Sequence, residues 1–249
     1  MNPRMIPSAL AALMLLAFPS FSQSSIVVLS TNAVKSSLER MLPQAEKAVG
    51  RKLAVEYSST GTLKQRIAAG ATFDATIVTR DALDELTKQN KLAPGGLDVA
   101  RGGIGVGIRA GAPKPDIRTG EALKQFLLKA KSVTYTDNGA SRPFIDAMLK
   151  KMGIETALKS RTLLEPPGRA PELVGEGKAE VVLTLMSEIM PVKGIQLVGP
   201  LPPEHQNFVV LAATASATTK ETSAVRALIT FLKSPAAAQV YRDQGLESR

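Results

Sequence analysis

The 249-residue chain contains no cysteine and no tryptophan, and its single histidine is His205. Without cysteine there can be no thiolate catalysis, no disulfide framework and no Cys/His zinc site. Aromatic residues make up only 4% of the chain. The formal net charge of +9 could suggest a nucleic-acid partner. Such binders, however, cluster their basic residues and interleave aromatic ones that stack on bases. Here the lysines are scattered along helix-like stretches, so the charge reads as a basic, solvated surface and no nucleic acid is expected. Long apolar runs are also scarce. Residues 9–18 (ALAALMLLAF) form one, but a bilayer of ~30 Å needs ~20 apolar residues as a helix. That run follows Arg4 and precedes Ser20-Phe21-Ser22, which fits a small-x-small cleavage rule. Residues 1–22 are therefore expected to be a signal peptide, removed to leave a periplasmic protein with no stable membrane insertion. No cofactor and no metal are expected, and the protein is expected to be a monomer.

What is present is apolar material for a core, 44% of residues, arranged in alternating strand-like and helix-like stretches. Residues 26–29, 53–57 and 73–78 read as buried parallel strands. Helical patterns follow them at 33–49, 62–69 and from Thr79 to about Gln89, the first capped by Asn32. This βαβαβα rhythm predicts a parallel, doubly wound sheet. Residues 99–108 (VARGGIGVGI) are glycine-rich but extended. Shorter βα units are expected at 132–136 with 141–152 and at 161–164 with 169–176. Strands at 181–185, 196–198 and 208–213 follow, with helices at 221–233 and 235–244. The division that fits is two α/β lobes, each a doubly wound, mainly parallel sheet, joined by two crossover hinge strands. The crossovers fall near 101–108 and 207–213. The first lobe would take 23–102 and 207–249, the second 103–206, leaving a cleft between them.

The strand-to-helix junctions carry small polar residues rather than nucleophiles: Ser30-Thr31-Asn32, Ser59-Thr60-Gly61, Thr79-Arg80 and Asn138 to Arg142. In an open α/β sheet these junctions lie at the carboxyl ends of the strands, where ligands bind. Helix amino ends there present unpaired N–H groups and the positive end of the helix dipole. Such donors suit an anion. Each hydroxyl could equally be a plain helix cap. Ser141 and Arg142 sit at the start of a predicted helix, where a cation opposes the dipole. Arg142 is therefore either a partner for a ligand carboxylate or paired with Asp137 or Asp146. Arg80 beside Asp81 reads as a local ion pair or a ligand contact, and Arg169 after Pro166-Pro167-Gly168 is a weaker candidate of the same kind. Gly103 to Gly107 lacks the spacing of a dinucleotide loop and leads into a strand. His205 lies in a proline-rich turn and reads as a turn residue rather than a triad member.

Residues 26–32 (IVVLSTN), 57–67 (YSSTGTLKQRI) and 70–79 (GATFDATIVT) resemble the periplasmic molybdate-binding proteins, type II solute-binding proteins that feed ABC transporters. The closing stretch 227–245 is similar to that family's last helices. The resemblance implies a type II periplasmic binding protein fold, a small anionic ligand and an ABC permease as partner. It also implies that hydroxyls of the first two loops and a tyrosine of the second lobe hold the anion. Thr60 keeps the second-loop hydroxyl. The first serine's place falls on Ala33, beside Ser30, Thr31 and Asn32, the tyrosine's on Leu185, and a small residue's on Arg142. A guanidinium there suits an organic di- or tricarboxylate. The bacterial aconitate isomerases also resemble this family. That alternative requires a base beside one carbon, for which Glu204, His205 and Glu165 are the candidates.

Overall fold

The computed structural model describes residues 24–249, so the expected signal segment 1–22 lies outside the described residues. The chain begins with strand β1 (Ile26–Thr31), a 3-10 turn (Asn32–Val34), α1 (Lys35–Val49), β2 (Leu53–Ser58), α2 (Thr60–Ala68), β3 (Ala75–Thr79) and α3 (Arg80–Lys88). Next come β4 (Leu97–Arg109), α4 (Gly120–Lys129), β5 (Val133–Thr136), α5 (Arg142–Lys151), α6 (Glu155–Leu158), β6 (Thr162–Glu165) and α7 (Arg169–Gly175). The last elements are β7 (Val181–Leu185), α8 (Met186–Ile189), β8 (Ile195–Pro200), β9 (Phe208–Ala215), α9 (Thr222–Leu232), α10 (Pro235–Asp243) and β10 (Leu246–Ser248).

β1 runs parallel to β2 on one side and to β3 on the other. Ile26, Val28 and Leu29 are buried because helices cover both faces of this sheet. A second parallel set is built from β6, β5 and β7. The two sets form a two-lobed α/β fold through β4, whose 13 residues belong to both. Its first half pairs antiparallel with β9 and β10, its second half with β7 and β8. The glycines of β4 serve close packing. A Cβ on Gly105 would lie 2.7 Å from Met186 Cγ, and one on Gly107 would lie 2.7 Å from Val182 Cγ1.

β9 pairs with β3 and with the first half of β4, and residues 201–207 lead into it. Ile104 sits where β4 changes partners, and the Gln206 side chain stands in for a strand there. Its Oε1 accepts from Ile104 N at 3.0 Å and its Nε2 donates to Ile104 O at 2.9 Å. Two further details differ from the sequence expectation. α4, α6 and β10 were not anticipated, although Thr119 accepts from Ala122 N at 3.2 Å and Leu123 and Leu127 form an apolar stripe four residues apart. Asn32 lies inside the 3-10 turn, and it is Thr31 Oγ1 that accepts from Ala33 N. α9 and α10 pack on α1, beside the first βα units, where the sequence analysis expected the closing helices.

Candidate functional site

Local chemistry sets where the helices facing the cleft begin. Ser59 is extended and its Oγ accepts from Thr62 N at 3.1 Å, starting α2. Thr79 caps α3 through Ala82 N in the same way. Across the gap, Ser141 precedes α5 without a capping bond, and Pro143 fixes the first turn.

The lobes meet at two bridges. Ser59 Oγ donates to Asn138 Oδ1 at 2.6 Å while Asn138 Nδ2 donates to Thr62 Oγ1 at 3.1 Å. This approach is possible because residue 61 is glycine, whose missing Cβ would sit 2.8 Å from Asn138 O. The second bridge runs from Ser187 Oγ to Ala33 O at 2.8 Å and is buried. One cavity, of about 640 Å³, is walled by residues that include Thr60, Thr79, Arg80, Asn138 and Arg142. Another, of about 540 Å³, includes Asn32, Tyr57, Arg169 and Glu188.

The predicted residues thus divide. Thr60, Thr79, Arg80 and Arg142 wall the first cavity, and Asn32 and Arg169 the second. Ser30, Thr31, Ser59 and Ser141 are buried and wall neither cavity. The three arginines are already engaged by carboxylates. Arg142 Nε donates to Asp146 at 2.6 Å and Nη1 to Asp137 Oδ1 at 3.1 Å, with the guanidinium over the Tyr135 ring. Arg169 is bound by Glu172 and Glu176. Arg80 pairs with Asp98 and Asp84, not with the adjacent Asp81. Neighbouring side chains on a helix point about a quarter-turn apart, so sequence adjacency did not predict contact.

Glu204, His205 and Glu165 wall neither cavity. Glu204 Oε1 accepts from Gly120 N, closing the amino end of α4, and His205 lies against the same glycine. Burial, with Lys151 nearby, holds the His205 imidazole below its ordinary value. Glu165 ends β6 opposite Thr136. Among the described residues no group of three or more acidic or histidine side chains could hold a metal ion. None of the helices among them is long and apolar enough to cross a membrane.

Sequence reasoning placed Gly61 and Asn138 in ligand-facing junctions without foreseeing that they meet, and it missed Tyr57, Ser187 and Glu188. The last two follow β7, a strand-to-helix junction of the kind already singled out elsewhere. Glu188 is half-buried and accepts from Thr184 Oγ1, and burial pushes its carboxyl pKa up despite that bond.

Two parallel sheets joined through β4, with helix amino ends meeting across a gap, match a known group. Residues 26–247 match the family described as bacterial extracellular solute-binding protein. The chain belongs to that family. Over 256 aligned residues it is 29% identical to an aconitate isomerase from a Pseudomonas species, covering 99% of this chain and 98% of that protein. The Azotobacter vinelandii periplasmic molybdate-binding protein superposes with a TM-score of 0.74 at 18% identity, over 89% of this chain and 98% of that one. The sulfate-binding protein SubI of Mycobacterium tuberculosis gives 0.71 at 17% identity, over 90% and 86%. As a solute-binding protein, the chain shares its fold with these molybdate- and sulfate-binding proteins.

Proposed function

We propose that this solute-binding protein captures a small anion between its lobes in the periplasm and presents the closed form to an ABC permease. One observation carries the reading. Thr60, the first residue of α2, is buried and its Oγ1 has no hydrogen-bond partner. An unpaired buried hydroxyl costs about 1–3 kcal/mol, and it sits where the unpaired amides of α2 point toward the cleft. A bound anion oxygen would satisfy both. Arg142, at the start of α5 on the opposite wall, would release Asp137 to a ligand carboxylate. Binding would then favour closure by the ligand's differential affinity for the closed form. In this reading the protein acts as a monomer without cofactor, residues 1–22 are cleaved on export, and 23–102 with 207–249 hinge against 103–206.

The test is a thermal-shift panel of molybdate, tungstate, sulfate and mono-, di- and tricarboxylates. A ligand at 100 times its Kd adds about 2.7 kcal/mol. Thr60→Ala should abolish the shift while the unliganded protein melts no lower than wild type. No shift with any anion rejects the reading.

A second reading, isomerase action on a tricarboxylate, is favoured by the relative matched over nearly its whole length. Such an enzyme would need an acid/base group in the cleft, where Glu188 lies and Glu204, His205 and Glu165 do not. NMR of trans-aconitate incubated with concentrated protein decides it, since no cis isomer means no isomerase.

A further inference from the structure

The junction before α5 holds an asparagine followed directly by a glycine, Asn138-Gly139. The chain has five asparagines, and none of the other four precedes a glycine. Asparagine is a thermolabile side chain. It is most labile before glycine, whose backbone nitrogen no Cβ shields. Both members of the pair are fixed by their surroundings. A Cβ on Gly139 would lie 2.9 Å from Thr136 Cβ, so a larger residue fits poorly there. Asn138 makes the bridge between lobes: its Oδ1 accepts from Ser59 Oγ at 2.6 Å and its Nδ2 donates to Thr62 Oγ1 at 3.1 Å. The half-buried carboxamide therefore takes both of its hydrogen bonds from the start of α2, across the gap. The Gly139 amide is only loosely engaged, donating to Thr136 O at 3.4 Å.

We infer that Asn138 is a deamidation site, protected while the lobes are closed, whose product opposes anion capture. When the lobes part, the carboxamide loses both partners. The Gly139 nitrogen then attacks Asn138 Cγ, the side-chain nitrogen leaves as ammonia with the amide proton, and a succinimide ring closes. Water opens the ring to aspartate or isoaspartate. In sum a water is consumed and an ammonia released, with no oxidant, reductant or cofactor. The new carboxylate stands at the first turn of α2, where Asn138 Cγ already lies 3.4 Å from the place of a Gly61 Cβ. There it meets the positive end of the helix as an internal anion, and it repels an incoming one. This last consequence rests on the anion-binding reading above, whereas the ring closure does not.

The full mature chain is aged in mildly alkaline buffer below its melting temperature and mapped by peptide mass spectrometry. The same chain unfolded in urea and the variant Thr62→Val are aged beside it. Aspartate and isoaspartate should accumulate at Asn138 ahead of Asn32, Asn90 and Asn207. Folded wild type should react severalfold more slowly than the unfolded chain. Thr62→Val, which removes the acceptor of Asn138 Nδ2, should react severalfold faster than folded wild type. An intact Asn138 in the folded chain after the unfolded chain has reacted overturns the site. Equal rates in folded wild type and Thr62→Val overturn its protection by the closed lobes. Calorimetry with molybdate, sulfate and tricarballylate on Asn138→Asp and Asn138→Ala reads the consequence, since both variants lose the bridging amide and only one gains a charge. Affinity for any probe that binds wild type should be about tenfold lower in Asn138→Asp than in Asn138→Ala at low salt, with the gap narrowing as salt rises. Equal affinities overturn the opposition to anion capture. If none of the three probes binds wild type, the anion-binding reading and that consequence both fall, while the peptide map still decides the site.

Discussion

Gly61→Ala tests whether closure of the two lobes depends on a single missing methyl group. In the closed arrangement an added Cβ would lie 2.8 Å from Asn138 O and 3.0 Å from Asn138 Cβ. The obstacle is mainly backbone, so it cannot rotate away, and relief requires the lobes to part by roughly half an ångström to reach ordinary contact. That movement stretches the Ser59–Asn138 and Asn138–Thr62 bonds, now 2.6 and 3.1 Å, by the same half ångström, which keeps the first and breaks the second. At about 1 kcal/mol, that loss disfavours the closed form by roughly fivefold in ligand affinity. Alanine is at the same time a better helix former than glycine by up to about 1 kcal/mol, so the unliganded protein should melt no lower than wild type. Titration calorimetry with the tightest-binding anion, paired with small-angle scattering of the free protein, reads both effects. An affinity within threefold of wild type, with unchanged scattering, would refute the closure argument.

Two further expectations concern stability alone. Tyr241 is buried against the closing helices with its hydroxyl unpartnered, so Tyr241→Phe should stabilise the protein by about 1 kcal/mol and raise Tm by roughly 2–4 °C. A lower Tm on a calorimetric scan would show that the hydroxyl has a partner. Arg169, followed by Lys178, holds the Glu176 carboxyl at about 2, below its ordinary 4.5. A depressed carboxylate contributes stability that is complete above its unfolded value and is lost as pH falls toward 2. Glu176→Gln should therefore flatten the dependence of Tm on pH between 4.5 and 2, modestly because the pair is exposed. An unaltered slope over that range would remove the pair from any role in acid stability.

Much of the site was legible residue by residue and illegible as an assembly. The hydroxyls at 31, 59 and 79 were recognisable because a cap is a local event, an oxygen meeting an amide two or three residues on. The same locality explains why the capping alternative applies to all three. Arg142 was suspected because a cation at a helix start opposes the dipole. Both carboxylates offered as its plain partners, Asp137 and Asp146, do hold it. Glu204 and His205 could not be placed from sequence, since the proline-rich turn that carries them closes the end of α4, 84 residues away in the case of Glu204 and Gly120. Helix α4 was overlooked although its cap and its apolar stripe are both local signals.

The order of the strands and helices other than α4, α6 and β10, the compartment expectation and the caps of the cleft-facing helices follow from the chain alone, because periodicity, caps and apolar runs act between near neighbours. Tertiary structure decided which of those helix ends face one another. Ser59 reaches Asn138 across 79 residues, and Gln206 reaches Ile104 across 102. Pairings at such separations depend on how two sheets dock through one shared strand. No local pattern encodes that docking, and it alone turns scattered hydroxyls into the walls of a cleft.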